Sequence, residues 1–226
     1  MLLFFFFIIG LTCTDENFAQ KATIAFQTAS LNNLIIVLPD TSPRGAGCPD
    51  DTTAWDFGEG AGFYINATNP SYSKHYNMYD YITIELWDIL LQTLFPQQLT
   101  GKRSIFGHSM GGFGALHLFL KSQLFTSCSA FAPIADPVNC PWGQKAFSKY
   151  FGPQDQVPTE WTNHDLPHLL HQYAVNTTTN KTPILIDQGL ADPFLKQNQL
   201  LPERFLQQAK DDKIDVIYRQ HEKYDH

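Results

Sequence analysis

The stretch Arg103-Ser104-Ile105-Phe106-Gly107-His108-Ser109-Met110-Gly111-Gly112 decides the reading of this chain. Arg103–Phe106 reads as a short β-strand, and Gly112–Lys121 continues with the apolar spacing of a helix. Between them, residues 107–111 spell G-x-S-x-G, and a strand before with a helix after is the setting that separates a nucleophile elbow from a chance match. Small residues on either side let the backbone turn sharply enough to expose the Ser109 hydroxyl. The competing reading is a serine that only caps the following helix; the double glycine at 111–112 favours the elbow.

Working outward, further apolar runs lie at Leu3–Ile9, Leu34–Leu38, Ser129–Ala132, Ile184–Ile186 and Val216–Tyr218. Helical patterns fall between them: Asp15–Ala29, then Glu85–Phe95 with apolar Leu86, Ile89, Leu90 and Leu94 and closed by Pro96, then Pro202–Ala209. Strands alternating with helices predict an α/β fold, a mostly parallel sheet with helices on both faces. A chain of 226 residues, 43% hydrophobic and 14% aromatic, has the material for one packed domain spanning 1–226. Residues 41–81 are rich in Gly, Pro and aromatic side chains without a clear period; such excursions beyond strand ends are where α/β sheets hold ligands.

Other classes are disfavoured. A net charge of -7 and no basic run longer than Lys102-Arg103 offer nucleic-acid phosphates no footprint. Cys13, Cys48, Cys128 and Cys140 lack C-x-x-C spacing, which speaks against a zinc ribbon and fits a reduced, cytoplasmic setting. His164, His168 and His171 sit around Pro167 without a supporting Asp, Glu or Cys pattern, so a solvated helix face is expected there and no metal or other cofactor. Met1–Ile9, MLLFFFFII, is too short to cross a bilayer, so no membrane attachment is expected. It reads as a buried strand or as the core of a secretory signal; sequons at Asn66, Asn176 and Asn180 add little to the secreted reading.

A serine hydroxyl needs a base, and the base an orienting carboxylate; in this fold they follow the serine in the order acid, histidine. Asp192, in the turn after the strand Pro183–Ile186, is the expected acid, with Asp187 the alternative nearer the strand. His226, after a six-residue loop beyond the strand Asp215–Arg219, is the expected base, ahead of His108 and His221. Main-chain N–H groups of Met110 and Leu11 are the expected oxyanion donors, the second because Gly10 lets the chain turn after an early strand. Cys13, in the same loop, either faces the pocket or is a small residue without catalytic duty.

Seven stretches, the opening one among them, then carry a family resemblance. Gly10–Phe18, Pro39–Gly45, Trp55–Gly58 with Gly60–Tyr64, Ser104–Gly112, Ser129–Ile134, Cys140–Gly143 and Tyr224–His226 resemble, in order along the chain, the motifs of S-formylglutathione hydrolase (esterase D). The resemblance implies an α/β-hydrolase fold, hydrolysis of the small-molecule thioester S-formylglutathione to glutathione and formate, a cytoplasmic location and a homodimer. Its catalytic triad falls on Ser109, Asp192 and His226. Trp55, Phe57 and Tyr64 are the expected wall residues of the glutathione-facing loop. It also implies further strands before Leu3–Ile9 and a helix after His226, so that a truncated product is expected, with a broader carboxylesterase or an inactive binding protein as the other readings.

Overall fold

The computed structural model describes residues 2–95, 99–177 and 182–226; Met1, Pro96 and Asn180 lie outside them. Six strands form one sheet: β1 (Leu2–Ile8), β2 (Leu34–Val37), β3 (Leu99–His108), β4 (Ser127–Phe131), β5 (Ile184–Gly189) and β6 (Val216–His221). Their order is β2-β1-β3-β4-β5-β6, and every neighbouring pair is parallel.

The apolar run at the start of the chain is the strand between β2 and β3, and its composition follows from that place. A strand covered on both faces has no polar side to show. Phe4 and Phe6 meet Trp87 on one face, while Phe7 meets Phe18 and Phe106 on the other. Helices therefore pack on both faces, as the alternating pattern predicts.

Two helices differ from their expected course. The stretch 15–29 is two helices, Asp15–Ala19 and Thr23–Leu31, because the chain tightens into i→i+3 bonds at Lys21 and Ala22 and buries Ala22 between them. The helical region expected at 85–95 begins at Met78 and winds in π-helical turns over Tyr81–Leu91 before Gln92–Leu94. Wider turns move the buried stripe to Ile82, Leu86, Trp87 and Leu91, and leave Ile89 and Leu94 exposed.

Three helices escaped the sequence reading, Pro141–Tyr150, Pro158–Thr162 and Pro193–Lys196, while the helix expected around Pro167 is Leu166–Asn176. Each carries Pro in its first turn, where the missing N–H costs nothing. Pro167 thus lies in the first turn of its helix. His171 is exposed, but His164 is not on a solvated face: it is buried, and its Nδ1 lies 2.8 Å from Nε2 of buried His117. No helix among the described residues is long and apolar enough to cross a membrane.

Parallel strands put all their carboxyl ends at one edge of the sheet. There β1 leads to Gly10–Thr14, β3 to Ser109, β5 to Asp192, and β6 to His226.

Candidate active site

Ser109 sits at φ 60° and ψ -119°, a conformation that costs a non-glycine residue on the order of 1–3 kcal/mol. Neighbours on every side hold it there. Its N–H donates to the Phe131 carbonyl at 2.9 Å, and its carbonyl accepts from Phe113 and Ile134. Gly107 and Gly111 have no room for a side chain: a Cβ on Gly107 would lie 2.2 Å from the Gly111 oxygen, and one on Gly111 would lie 2.1 Å from the Ile8 oxygen. The elbow is pressed onto β1.

Asp192 is fully buried at the N-terminus of Pro193–Lys196. Its Oδ1 accepts from the Phe194 N–H at 2.7 Å and the Leu195 N–H at 3.4 Å. Its Oδ2 accepts from Gln188 Nε2 at 3.1 Å and pairs with His226 Nδ1 at 2.8 Å. Burial pushes the carboxyl upward, but the His226 bond and charge, the Phe194 N–H and the Gln188 amide outweigh it and hold the acid below its ordinary range.

The His226 ring is gripped between two others, with centroids 4.5 Å from His108 and 4.7 Å from Phe194, the latter edge-on. Burial, and then the neighbouring His226, push His108 down to about 4, so it is neutral at neutral pH. Asp187 and His221, the alternative acid and histidine, bond to each other at 2.8 Å with Arg219 on the same carboxylate, and neither lines the cavity that holds Ser109.

That cavity encloses about 240 Å3 and is lined by Gly10–Cys13, Trp55, His108, Ser109, Trp142, Phe194 and His226. Ser109, His226 and, through it, Asp192 are thus brought together. Gly10 lies against Ser109, since a Cβ there would be 3.0 Å from Ser109 Cβ. Leu11 follows it on the cavity wall, and among the described residues the N–H groups of Leu11 and Met110 donate to no protein acceptor.

Of the three expected wall residues, Trp55 lines the cavity and two do not; Cys13, whose place was left open, lines it as well. Phe57 packs into a ring cluster with Tyr72 and Tyr150, away from the site. Tyr64 is buried beneath it, and its hydroxyl bonds to both the N–H and the carbonyl of Ile9, fixing the end of β1. Burial raises the Cys13 thiol against the pull of Lys21, which keeps it protonated. Trp142, Phe194 and Gln188 were missed; nothing in their spacing marks them, since they reach the site only through the helices with Pro in the first turn and through β5. No group of three His, Cys, Asp or Glu among the described residues has metal-binding geometry.

Comparison with known proteins places this chain. The family model described as "Putative esterase" matches residues 5–226. S-formylglutathione hydrolase of Mus musculus is 45% identical over 222 residues, 98% of this chain and 75% of that protein. The Arabidopsis thaliana enzyme of the same name is 44% identical, over 98% of this chain and 74% of its own length. Among solved structures, an S-formylglutathione hydrolase from Agrobacterium tumefaciens covers all of this chain, with 77% of its own covered, at 40% identity and a TM-score of 0.86. A Staphylococcus aureus serine hydrolase, FphF, shares the fold at 19% identity and a TM-score of 0.69, over 99% of this chain and 76% of its own. This α/β-hydrolase chain belongs to the S-formylglutathione hydrolase family of esterases.

Proposed function

We propose that this chain hydrolyses S-formylglutathione through a formyl-enzyme on Ser109. One observation carries the reading: the Asp192–His226 pair, bonded at 2.8 Å, opens onto the same small cavity as the strained Ser109. Ser109 Oγ attacks the formyl carbon while His226 Nε2 takes its proton. The C–S bond breaks and the proton passes to the glutathione sulfur. Water then attacks the formyl ester with the same base, releasing formate and restoring the serine. Asp192, kept ionised, fixes the His226 tautomer and stabilises its cation. Leu11 and Met110 N–H groups receive the oxyanion. A cavity of about 240 Å3 suits a small acyl group.

The test is the intact mass of the chain after treatment with an active-site serine phosphonate, beside a Ser109→Ala control. One adduct, absent from the control, is expected, with hydrolysis falling by at least about 1,000-fold in the variant. A folded protein that takes no adduct would leave the fold without the chemistry. The aromatic wall of Trp55, Trp142 and Phe194 favours one second reading, a general carboxylesterase. Comparable kcat/KM for an aryl acetate and for S-formylglutathione would support it.

We further propose one domain for residues 1–226, supported by the single sheet and continuous core. Four unpaired cysteines fit a reducing, cytoplasmic compartment. Exposed Ile24, Phe26 and Leu31 on one helix support a homodimer; sedimentation of Ile24→Lys as a monomer, against a dimer for the unaltered chain, is the check.

A further inference from the structure

The catalytic cavity does not end at its apolar wall. Thr12 and Trp55 line it on one side and line a second, polar groove of about 420 Å3 on the other. The strained Thr12, at φ 68°, is held at that junction by its N–H bond to the Gly60 carbonyl at 3.0 Å. The groove walls carry charges of both signs, Arg44, Asp51 and Glu59, beside the exposed Thr52 and Thr53.

The two charged side chains nearest in character to a recognition pair are each half committed. Arg44 gives Nε and Nη2 to Asp40, at 2.8 and 2.9 Å, and Nη2 also reaches the Cys13 carbonyl at 3.1 Å. Among the described residues its Nη1 donates to nothing, so an anion finds two hydrogens on a guanidinium already fixed in place. Glu59 accepts the Gly45 N–H on Oε1 at 2.7 Å and keeps Oε2 for a donor. Asp51, by contrast, is buried and spends Oδ2 on the Cys48 N–H.

We propose that this groove is the thiol-side subsite, in which Arg44 binds the α-carboxylate and Glu59 the α-ammonium of the γ-glutamyl end of glutathione. The assignment rests on the thioesterase reading above. An acyl thioester seated at Ser109 must send its sulfur substituent out of the small cavity, and the opening past Thr12 and Trp55 leads to a groove whose fixed cation and anion match a zwitterionic amino-acid head. A neutral or aryl leaving group has nothing to pair with there.

Steady-state kinetics test it, with S-formylglutathione, S-formylcysteinylglycine and 4-nitrophenyl acetate on the wild-type chain, Glu59→Gln and Arg44→Gln. Glu59→Gln keeps the Gly45 acceptor, so it isolates the lost charge. Expected is a KM for S-formylglutathione raised about tenfold or more in both variants, and a selectivity for it over the aryl ester that falls by the same factor. The wild-type chain loses a similar factor on S-formylcysteinylglycine, which lacks the γ-glutamyl head. A KM within twofold of wild type in Glu59→Gln overturns the proposal whatever Arg44→Gln does, because Arg44 also braces Asp40. Wild-type protein that cleaves the aryl ester and not S-formylglutathione would instead defeat the thioesterase reading, before any variant is made.

Discussion

Asp192 holds a charge where burial alone would remove it, and the groups that prevent this are the ones that aim it. Phe194 and Leu195 N–H groups occupy Oδ1, so Oδ2 has one direction left, toward Gln188 and His226. Asp192→Asn keeps the shape but puts an amide against Nδ1; kcat is expected to fall by about 100- to 10,000-fold with little change in KM, measured on an aryl ester. His108 bears on the same imidazole from its other side. Because it stays neutral above about pH 4, it adds no repulsion to the His226 cation of the proposed acylation. His108→Phe retains a ring at 4.5 Å and should keep kcat within about threefold. His108→Arg sets a fixed charge there, worth about 3–4 kcal/mol of repulsion at an effective dielectric of about 20, so kcat should drop by two orders of magnitude and the acidic limb of the pH–rate profile should move to lower pH. Equal rates for Phe and Arg variants would show that the ring at 108 does not act on the base.

At the scale of elements, the strained turn at Ser109 is held where β1 and the helix Met110–Ser122 approach to backbone contact. Gly111→Ala places a methyl 2.1 Å from the Ile8 carbonyl, and that atom belongs to a strand hydrogen-bonded on both sides, so it has little freedom to yield. A loss of about 3 kcal/mol or more is expected from overpacking against backbone, read as a lower urea midpoint together with slower phosphonate labelling. A midpoint unchanged from wild type would mean that the elbow and β1 can separate freely. The same packing explains how much could be read from residues alone. β1 and the β3–Ser109–helix unit announce themselves because strands buried on both faces are continuously apolar, and because only glycine fits where two backbones touch. Asp192 and His226 follow from strand ends meeting at one edge. Phe57 and Tyr64 misled for the opposite reason: an aperiodic loop says that aromatic residues are present and not which way they face, and here they prop up the loop from beneath while Trp142 and Phe194, from distant helices, make the wall. The prolines at 141, 158 and 193 concealed helices because the same residue ends one helix and begins another.

The whole molecule carries an acid sensitivity whose larger source lies away from the catalytic cavity, where His108, itself held down to about 4, adds a third depressed imidazole. His117 and His164 are buried, stacked, and joined by one N–H···N bond, and His117 Nδ1 has no partner among the described residues. Rings of Phe113 and Phe151 stack on the outer faces of the pair, and Tyr79 meets His117 edge-on. Burial, then the charges of His164 and Lys121, push His117 far down; burial and Lys121 push His164 down to about 3. Both rings are therefore neutral in the fold, whereas in the unfolded chain they take up protons near 6.5. The unfolded state binds more protons below that value, so stability is fully present above pH 7 and is lost as pH falls from about 6.5 toward the folded values. Between pH 7 and pH 5 each ring accounts for about 2 kcal/mol. The depressed carboxyls Asp40, Asp187 and Asp192 act in the same direction but only lower, where unfolded carboxylates protonate, below about pH 4. The two windows can thus be separated. Urea midpoints at pH 7, 6 and 5 should fall steeply for the unaltered chain and much less for His117→Phe/His164→Phe, which keeps two stacked rings and removes both protonation sites. If the double variant loses midpoint as steeply as the parent across that range, the buried pair is not the source, and the histidine beside the nucleophile, His108, becomes the group to replace next.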